Sequence, residues 1–192
     1  MSSALVEEQG FIVPIGTHKG KNIAIGSDHR GFELKKNIVD YLHSKGYVSE
    51  PDPQSPFLID VGCRTVQPCN YPQFAKEIAD MLFSDALNED PFSLVGIGVC
   101  GSGIGMAIVA SKYQHVYPAR CLSVTDAESS RIHNNSNYLA LSADQTSPEL
   151  AFLIVDKWLA TAFFRSPEDK RYYERFVQTL RIEREVCRGR IR

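Results

Sequence analysis

Apolar and polar positions along this chain follow two rhythms. Short apolar runs at 22–26, 57–61, 93–99, 120–124 and 138–141 read as strands. Between them, apolar residues recur at helical spacing. Leu34, Ile38, Val39 and Leu42 do so within 31–45, which Gly46 closes, and Phe74, Ile78, Met81 and Leu82 share one face further on. Residues 103–112 predict a third helix, and Thr125 or Asp126 caps a short one running towards Asn134. Ser147-Pro148-Glu149 is a helix start, with Ser147 as N-cap and Pro148 at the first helical position; that helix should reach about Phe164. A last helix is predicted over roughly 167–185.

Strand and helix alternate five times. That pattern predicts an α/β fold: a single doubly wound, five-stranded parallel sheet of Rossmann/flavodoxin-like type, with helices on both faces and a C-terminal helix. Residues 1–20 are polar and weakly patterned and read as a loosely packed lead-in. Residues 21–185 read as the domain and 186–192 as a basic tail. Stretches 49–56, 63–70 and 84–91 read as loop insertions, and there is no internal repeat.

Composition narrows the function classes. At 192 residues, 43% hydrophobic and 23% charged, this is the profile of a globular domain with a well-buried core. A net charge of −2 argues against nucleic acid or an anionic membrane as a partner. The basic run Arg181, Arg184, Arg188, Arg190 and Arg192 is interrupted by Glu183 and Glu185, and so reads as a solvated tail. No apolar stretch approaches membrane-spanning length, and the N-terminus lacks the zones of a signal peptide. Five cysteines, an odd number in no zinc-like spacing, point to free thiols in a reducing, cytoplasmic setting.

Candidate chemistry concentrates after two strands. In an open parallel sheet, ligands bind beyond the carboxyl ends, where the strand order reverses. In the flavodoxin-like order 2-1-3-4-5 that point lies between strands one and three. The loop after strand one carries Ser27-Asp28-His29-Arg30-Gly31. The loop after strand three carries Cys100-Gly101-Ser102-Gly103-Ile104-Gly105. A cysteine at a strand end beside a helix N-terminus is favoured as thiolate, and the glycine turn aims backbone N–H groups and the Ser102 hydroxyl at one oxygen. The bland readings stand beside these. Asp28 could simply cap the next helix, and a glycine turn could simply allow close packing. His133 could merely face a helix dipole, and Arg171 with Arg175 could be a solvated face rather than a phosphate clamp. Cys121 reads as core, and Cys63, Cys69 and Cys187 carry no signal.

Taken together, Ser27-Asp28-His29-Arg30-Gly31-Phe32, Asn70-Tyr71-Pro72, the Cys100–Gly105 block and His133-Asn134-Asn135 resemble the type B ribose-5-phosphate isomerases and the related galactose-6-phosphate isomerase subunits, over about residues 21–182. The resemblance implies an aldose–ketose isomerase that uses neither metal nor nucleotide cofactor. Cys100 would move a proton between C2 and C1 through an enediolate. Ser102 and the amides around Gly101, Gly103 and Gly105 would hold the oxyanion, and Asp28 and His133 would assist ring opening. His29, Arg171 and Arg175 would bind the phosphate, while Tyr71 and Asn134 would line the pocket. It further implies a homodimer or dimer of dimers with sites shared between subunits. Three positions depart from the pattern. Arg30 stands where relatives have a small residue, and Asn70 replaces an aspartate. Asp144 occupies the place of an arginine that helps bind phosphate, and this departure bears on substrate identity. Another sugar, such as a hexose 6-phosphate, and a non-catalytic sugar-phosphate-binding protein are the alternatives.

Overall fold

The computed structural model describes residues 5–8, 10–50, 52–164 and 166–189. A hairpin of β1 (Leu5–Glu8) and β2 (Phe11–Pro14) precedes the main sheet. Then come β3 (Asn22–Ser27), α1 (Phe32–Ser44), β4 (Leu58–Asp60), α2 (Tyr71–Asp85), β5 (Leu94–Cys100) and α3 (Ile104–Ala110). The second half comprises β6 (Pro118–Arg120), α4 (Val124–Asn134), β7 (Tyr138–Ser142), α5 (Pro148–Ala160), a 3-10 turn (Pro167–Asp169) and α6 (Lys170–Cys187). Arg190 and Arg192 of the basic tail lie outside the described residues.

The five-stranded sheet has the order β4-β3-β5-β7-β6, all parallel. The α/β fold class is as the alternation predicts. One edge differs from the flavodoxin order, because the fourth core strand, β6, lies outside the fifth, β7. Burial accounts for the exchange. Every residue of β7 is buried, whereas β6 is half-exposed throughout and begins with Pro118, which cannot donate to a ladder and belongs at an edge. The order still reverses between β3 and β5.

The two faces of the sheet are chemically unlike. Ile23, Ile25, Val95, Ile97, Val99, Leu139 and Leu141 meet α1, α4 and α5 on one face. On the other, Ala24, Ala140, Cys100 and Tyr138 meet α2 and α3. Strand alternation puts Gly96, Gly98 and Cys100 on this second face. A Cβ at Gly96 would come within 2.6 Å of Ile78, and one at Gly98 within 2.2 Å of the Tyr138 hydroxyl. The two glycines make room for a tyrosine ring and for the approach of α2.

Other element boundaries shift for local reasons. The fourth strand was expected at 120–124, but Ser123 Oγ accepts the Asp126 N–H (3.0 Å) and Asp126 accepts the Leu122 N–H (2.9 Å), so helix α4 begins at Val124. Ser123 is therefore the cap, not Thr125 or Asp126. Ser147 caps α5 as expected, but α5 stops at Ala160 because Phe163 pairs with Gly16 (N···O 3.0 and 2.9 Å). Within the segment expected as a loose lead-in, β1 and β2 form a hairpin whose second strand packs on α6. Val13 is fully buried against Phe163 and the Tyr173, Phe176, Val177 and Leu180 stripe of α6. Behind it, Arg131 is 1% exposed and donates to the carbonyls of Gly16, Ser136 and Thr161 and to Asn135 Oδ1. His18 touches Ser136 O at 2.9 Å and stands edge-on to Trp158.

Candidate active site

Three loops converge at the carboxyl ends of β3, β5 and β7. The β3 loop docks on β5: Asp28 N–H donates to Val99 O (3.2 Å), and a Cβ at Gly31 would lie 2.5 Å from that same oxygen. Asp28 is 7% exposed, and its Oδ1 accepts the Gly31 N–H at 2.9 Å. It therefore braces the turn into α1 while sitting beside the β5 loop.

Cys100 closes β5 and is 4% exposed. Its Sγ accepts the Gly103 N–H at 3.2 Å. Gly103 makes this turn because its φ of 75° is left-handed, and a Cβ there would stand 3.0 Å from Leu141 backbone atoms. The loop is pinned from both sides. Gly101 O accepts Ser142 Oγ (2.8 Å) and Asp144 N–H (3.0 Å), while Ser102 O accepts Arg120 Nε (2.7 Å). Ser102 is exposed; its Oγ accepts the Ile104 N–H at 3.3 Å and keeps its own proton to donate. Tyr71, at the start of α2, lays its ring on Gly105, where a Cβ would be 2.6 Å from it. Asn70 is the residue before that helix.

His29 is half-buried and clasped to the peptide groups of Cys69, with Nδ1 3.1 Å from the carbonyl oxygen and 3.2 Å from the amide nitrogen. The sulfurs of Cys63 and Cys69 lie 2.7 Å apart, and burial and Cys63 push the Cys69 thiol up to about 11. Arg30 and Asp144, two of the three departures, form an ion pair with each other at 2.6 Å. Reading the sequence singled out both positions without pairing them, and it missed Arg120.

The remaining candidates stand elsewhere. His133 and Asn134 end α4 just before β7 begins, which puts them at the amino ends of the strands. Tyr138 at the start of β7 is level with Gly96, four residues short of Cys100 in register, or about 13 Å along the sheet. His133 lies beyond that. With Arg171, Tyr172 and Arg175 it lines a cleft of about 800 Å³, to which Asp28, His29, Tyr71, Cys100 and Ser102 do not contribute. Tyr172, unnoticed in the sequence, organises this cleft. Its ring is 4.5 Å from that of His133, and its hydroxyl accepts Arg171 Nη2 at 2.6 Å. Within one chain the candidate residues thus form two separate groups: Asp28, His29, Tyr71, Cys100, Ser102 and the glycines in one, and His133, Asn134, Arg171 and Arg175 in the other.

Among the described residues, no cluster of three or more His, Cys, Asp or Glu side chains is arranged to hold a metal ion, and no helix is long and apolar enough to cross a membrane.

Comparison with known proteins agrees with the fold and bears on the family. Residues 23–175 match the family model described as Ribose/Galactose Isomerase. The chain is 32% identical to ribose-5-phosphate isomerase B of Escherichia coli over 85% of its own length and 97% of that protein's. It is 34% identical to D-erythrulose-4-phosphate isomerase of Pectobacterium atrosepticum over 74% of its length and 84% of that protein's. A crystal structure of ribose-5-phosphate isomerase B from Mycoplasma genitalium with bound ribulose-5-phosphate superposes with a TM-score of 0.72. It is 31% identical, and the match covers 85% of this chain and 97% of that one.

Proposed function

The chain belongs to the ribose/galactose isomerase family of sugar-phosphate isomerases, and from that premise we propose that it interconverts ribose 5-phosphate and ribulose 5-phosphate. The observation that carries this reading is the Cys100 sulfur at the carboxyl end of β5, contacted by the Gly103 N–H at 3.2 Å beneath a tyrosine-covered glycine turn.

The chemistry follows from that arrangement. Cys100, as thiolate, takes the proton from C2 of the open-chain aldose. The C–H electron pair becomes the C1–C2 double bond, and negative charge collects on O1. Ser102 Oγ–H and the amides of the turn hold that oxyanion. The O2 proton then passes to O1, a carbonyl forms at C2, and the Cys100 thiol returns its proton to C1. A positioned base is worth about 10²–10⁴-fold, and one oxyanion donor about 10²–10³-fold. Asp28 and His133 assist ring opening, with His29, Arg171 and Arg175 on the phosphate, Tyr71 and Asn134 lining the pocket, and no cofactor.

A site that uses both groups of residues requires a second copy of the chain. The amino-end cleft with His133, Asn134, Arg171 and Arg175 would close over the Cys100 loop of a partner, giving a homodimer, or a dimer of dimers, with shared sites. The separation of about 13 Å along the sheet, four residues of strand register, supports this reading, since one sugar phosphate does not span it.

Conversion of ribose 5-phosphate by the wild type and by Cys100→Ala tests the activity. Turnover by the wild type and its loss in the variant are expected; equal rates would sink the assignment. The similarity to a D-erythrulose-4-phosphate isomerase favours a second substrate reading, within the same chemistry. A panel of tetrose 4-, pentose 5- and hexose 6-phosphates, ranked by kcat/KM, separates the two. Calorimetric binding without turnover of any of them would instead indicate a binding protein.

A further inference from the structure

We propose that Arg30 is an anion-binding residue of this site, held by Asp144, and that it takes the phosphate of the sugar substrate. This rests on the sugar-phosphate reading above and extends it to two positions that depart from the family pattern.

The first observation is placement. Arg30 leaves the β3 loop next to His29, and its guanidinium lies across Gly101, directly after Cys100. Its Cζ, Nε and Nη1 would all be 2.7–2.8 Å from a Cβ at 101. Three nearly equal distances mean that the planar group lies flat over the glycine, in space that any side chain there would fill. Gly101 thus serves Arg30 as well as the turn. The Asp144 carboxylate reaches the same spot from the β7 loop and accepts Nη2 at 2.6 Å. Arg30 therefore bridges the β3, β5 and β7 loops at the crevice.

The second observation is energetic. The side chains are 58% and 45% exposed, and an ion pair so exposed contributes at most about 1 kcal/mol to stability. Stability is a weak reason for a flat arginine and a glycine to be matched so closely. Ligand binding is a stronger one. A guanidinium has five N–H donors in a rigid fork, and Asp144 occupies one edge of it. The fork suits a phosphate, with two parallel charge-assisted bonds. Asp144 alone would repel a phosphate; paired, it fixes the orientation of the group that attracts one. Arg120, its donors on Ser102 O and Gln145 Oε1, adds a second cation on the opposite side of the Cys100–Gly103 turn.

Inorganic phosphate, titrated calorimetrically into the full-length protein, is the first probe, because its binding does not depend on turnover. Arg30→Ala should weaken phosphate about 10–100-fold, the usual cost of a lost charge-assisted contact, with Arg30→Lys in between. Lys157→Ala, which removes an exposed cation paired with Glu128 on another surface, controls for net charge and should leave binding unchanged. Asp144→Ala should weaken phosphate in the wild-type background and strengthen it in the Arg30→Ala background, where only the repulsion remains. A merely structural pair would not produce that reversal of sign. For the sugar phosphate, KM should rise more than kcat falls.

Phosphate binding by Arg30→Ala equal to that of the wild type would overturn the proposal. So would a loss matched by Lys157→Ala, or an Asp144→Ala effect of the same sign in both backgrounds. If phosphate binding depends on Arg30 but no sugar phosphate turns over, the anion site stands and the isomerase reading falls. If Arg30→Ala leaves both phosphate binding and kcat/KM for the sugar phosphate unchanged, the isomerase reading stands and the anion site falls.

Discussion

The Gly103 N–H points at the Cys100 sulfur across 3.2 Å, closing a turn in which the proposed base and its nearest backbone donor are three residues apart. The contact exists because Gly103 adopts a φ of 75°, which other residues enter only with strain. Gly103→Ala should therefore lower both stability and kcat. The strain costs about 1–3 kcal/mol, to which the contact with Leu141 adds. Thermal unfolding and initial rates on the same preparations check this. Cys100→Ser should keep the wild-type Tm within a few degrees and lose about 10²–10⁴-fold in kcat.

Tyr138 and Gly98 form a second coupled pair. The Tyr138 hydroxyl is buried without a hydrogen-bond partner among the described residues, and burial, then the neighbouring Cys100, pushes its ionisation far above the ordinary tyrosine range. Tyr138→Phe removes an unsatisfied group and should stabilise by about 1 kcal/mol. Gly98→Ala should destabilise, because its methyl would stand 2.2 Å from that oxygen. The double variant should recover part of the loss, and denaturant midpoints of the four proteins give the coupling.

His18 makes stability depend on pH. Burial first, then the charges of Arg131 and Lys21, hold its ionisation well below the ordinary value of 6.5. The unfolded chain therefore binds a proton that the folded protein refuses. Stability is full above about pH 6.5 and falls as pH drops below it, by up to about 1.4 kcal/mol per unit, until the folded group itself titrates. Urea midpoints at pH 7.5, 6.5 and 5.5 should show that decline, and His18→Gln should flatten it.

The separation of the two residue groups predicts complementation. Cys100→Ala disables the carboxyl-end group, and Arg171→Ala with Arg175→Ala disables the amino-end group. Unfolded together and refolded, the two inactive chains should regain activity, since a mixed dimer carries one site free of both changes. Random pairing places about a quarter of all sites in that state. No recovery, with mixed dimers demonstrated by mass, would mean that each site is built within one chain.

Thiol labelling should follow burial and charge. Burial pushes Cys121 up to about 11, and Cys69 reaches the same range beside Cys63, so both are protonated at pH 8 and slow to alkylate. Cys187 is exposed near the end of α6 and should label first. Peptide mass mapping over a time course reads the order.

Much of this molecule was legible in the chain. The two-residue and helical periods are set by near neighbours, so the strands through 22–27, 94–100 and 138–142 and the helices between them could be read directly. Cys100 at a strand end and the glycines after it were visible for the same reason. So was Ser147 as a cap, which needs only Leu150 three residues on. The tertiary structure decided the rest. It put β7 inside β6, because burial on both faces selects the wholly buried strand over a half-exposed one that starts with proline. It packed an unpromising N-terminal segment as a hairpin on α6, because the residues that bury Val13, Phe163 and the α6 stripe, lie 150 or more positions away in the chain. It joined Arg30 to Asp144, 114 residues apart, across the proposed site, and set His133 and Arg171 at the far end of the sheet from Cys100. Local spacing carries no record of such meetings. They arise where loops from different strands converge, and long-range packing alone chooses which strands are neighbours.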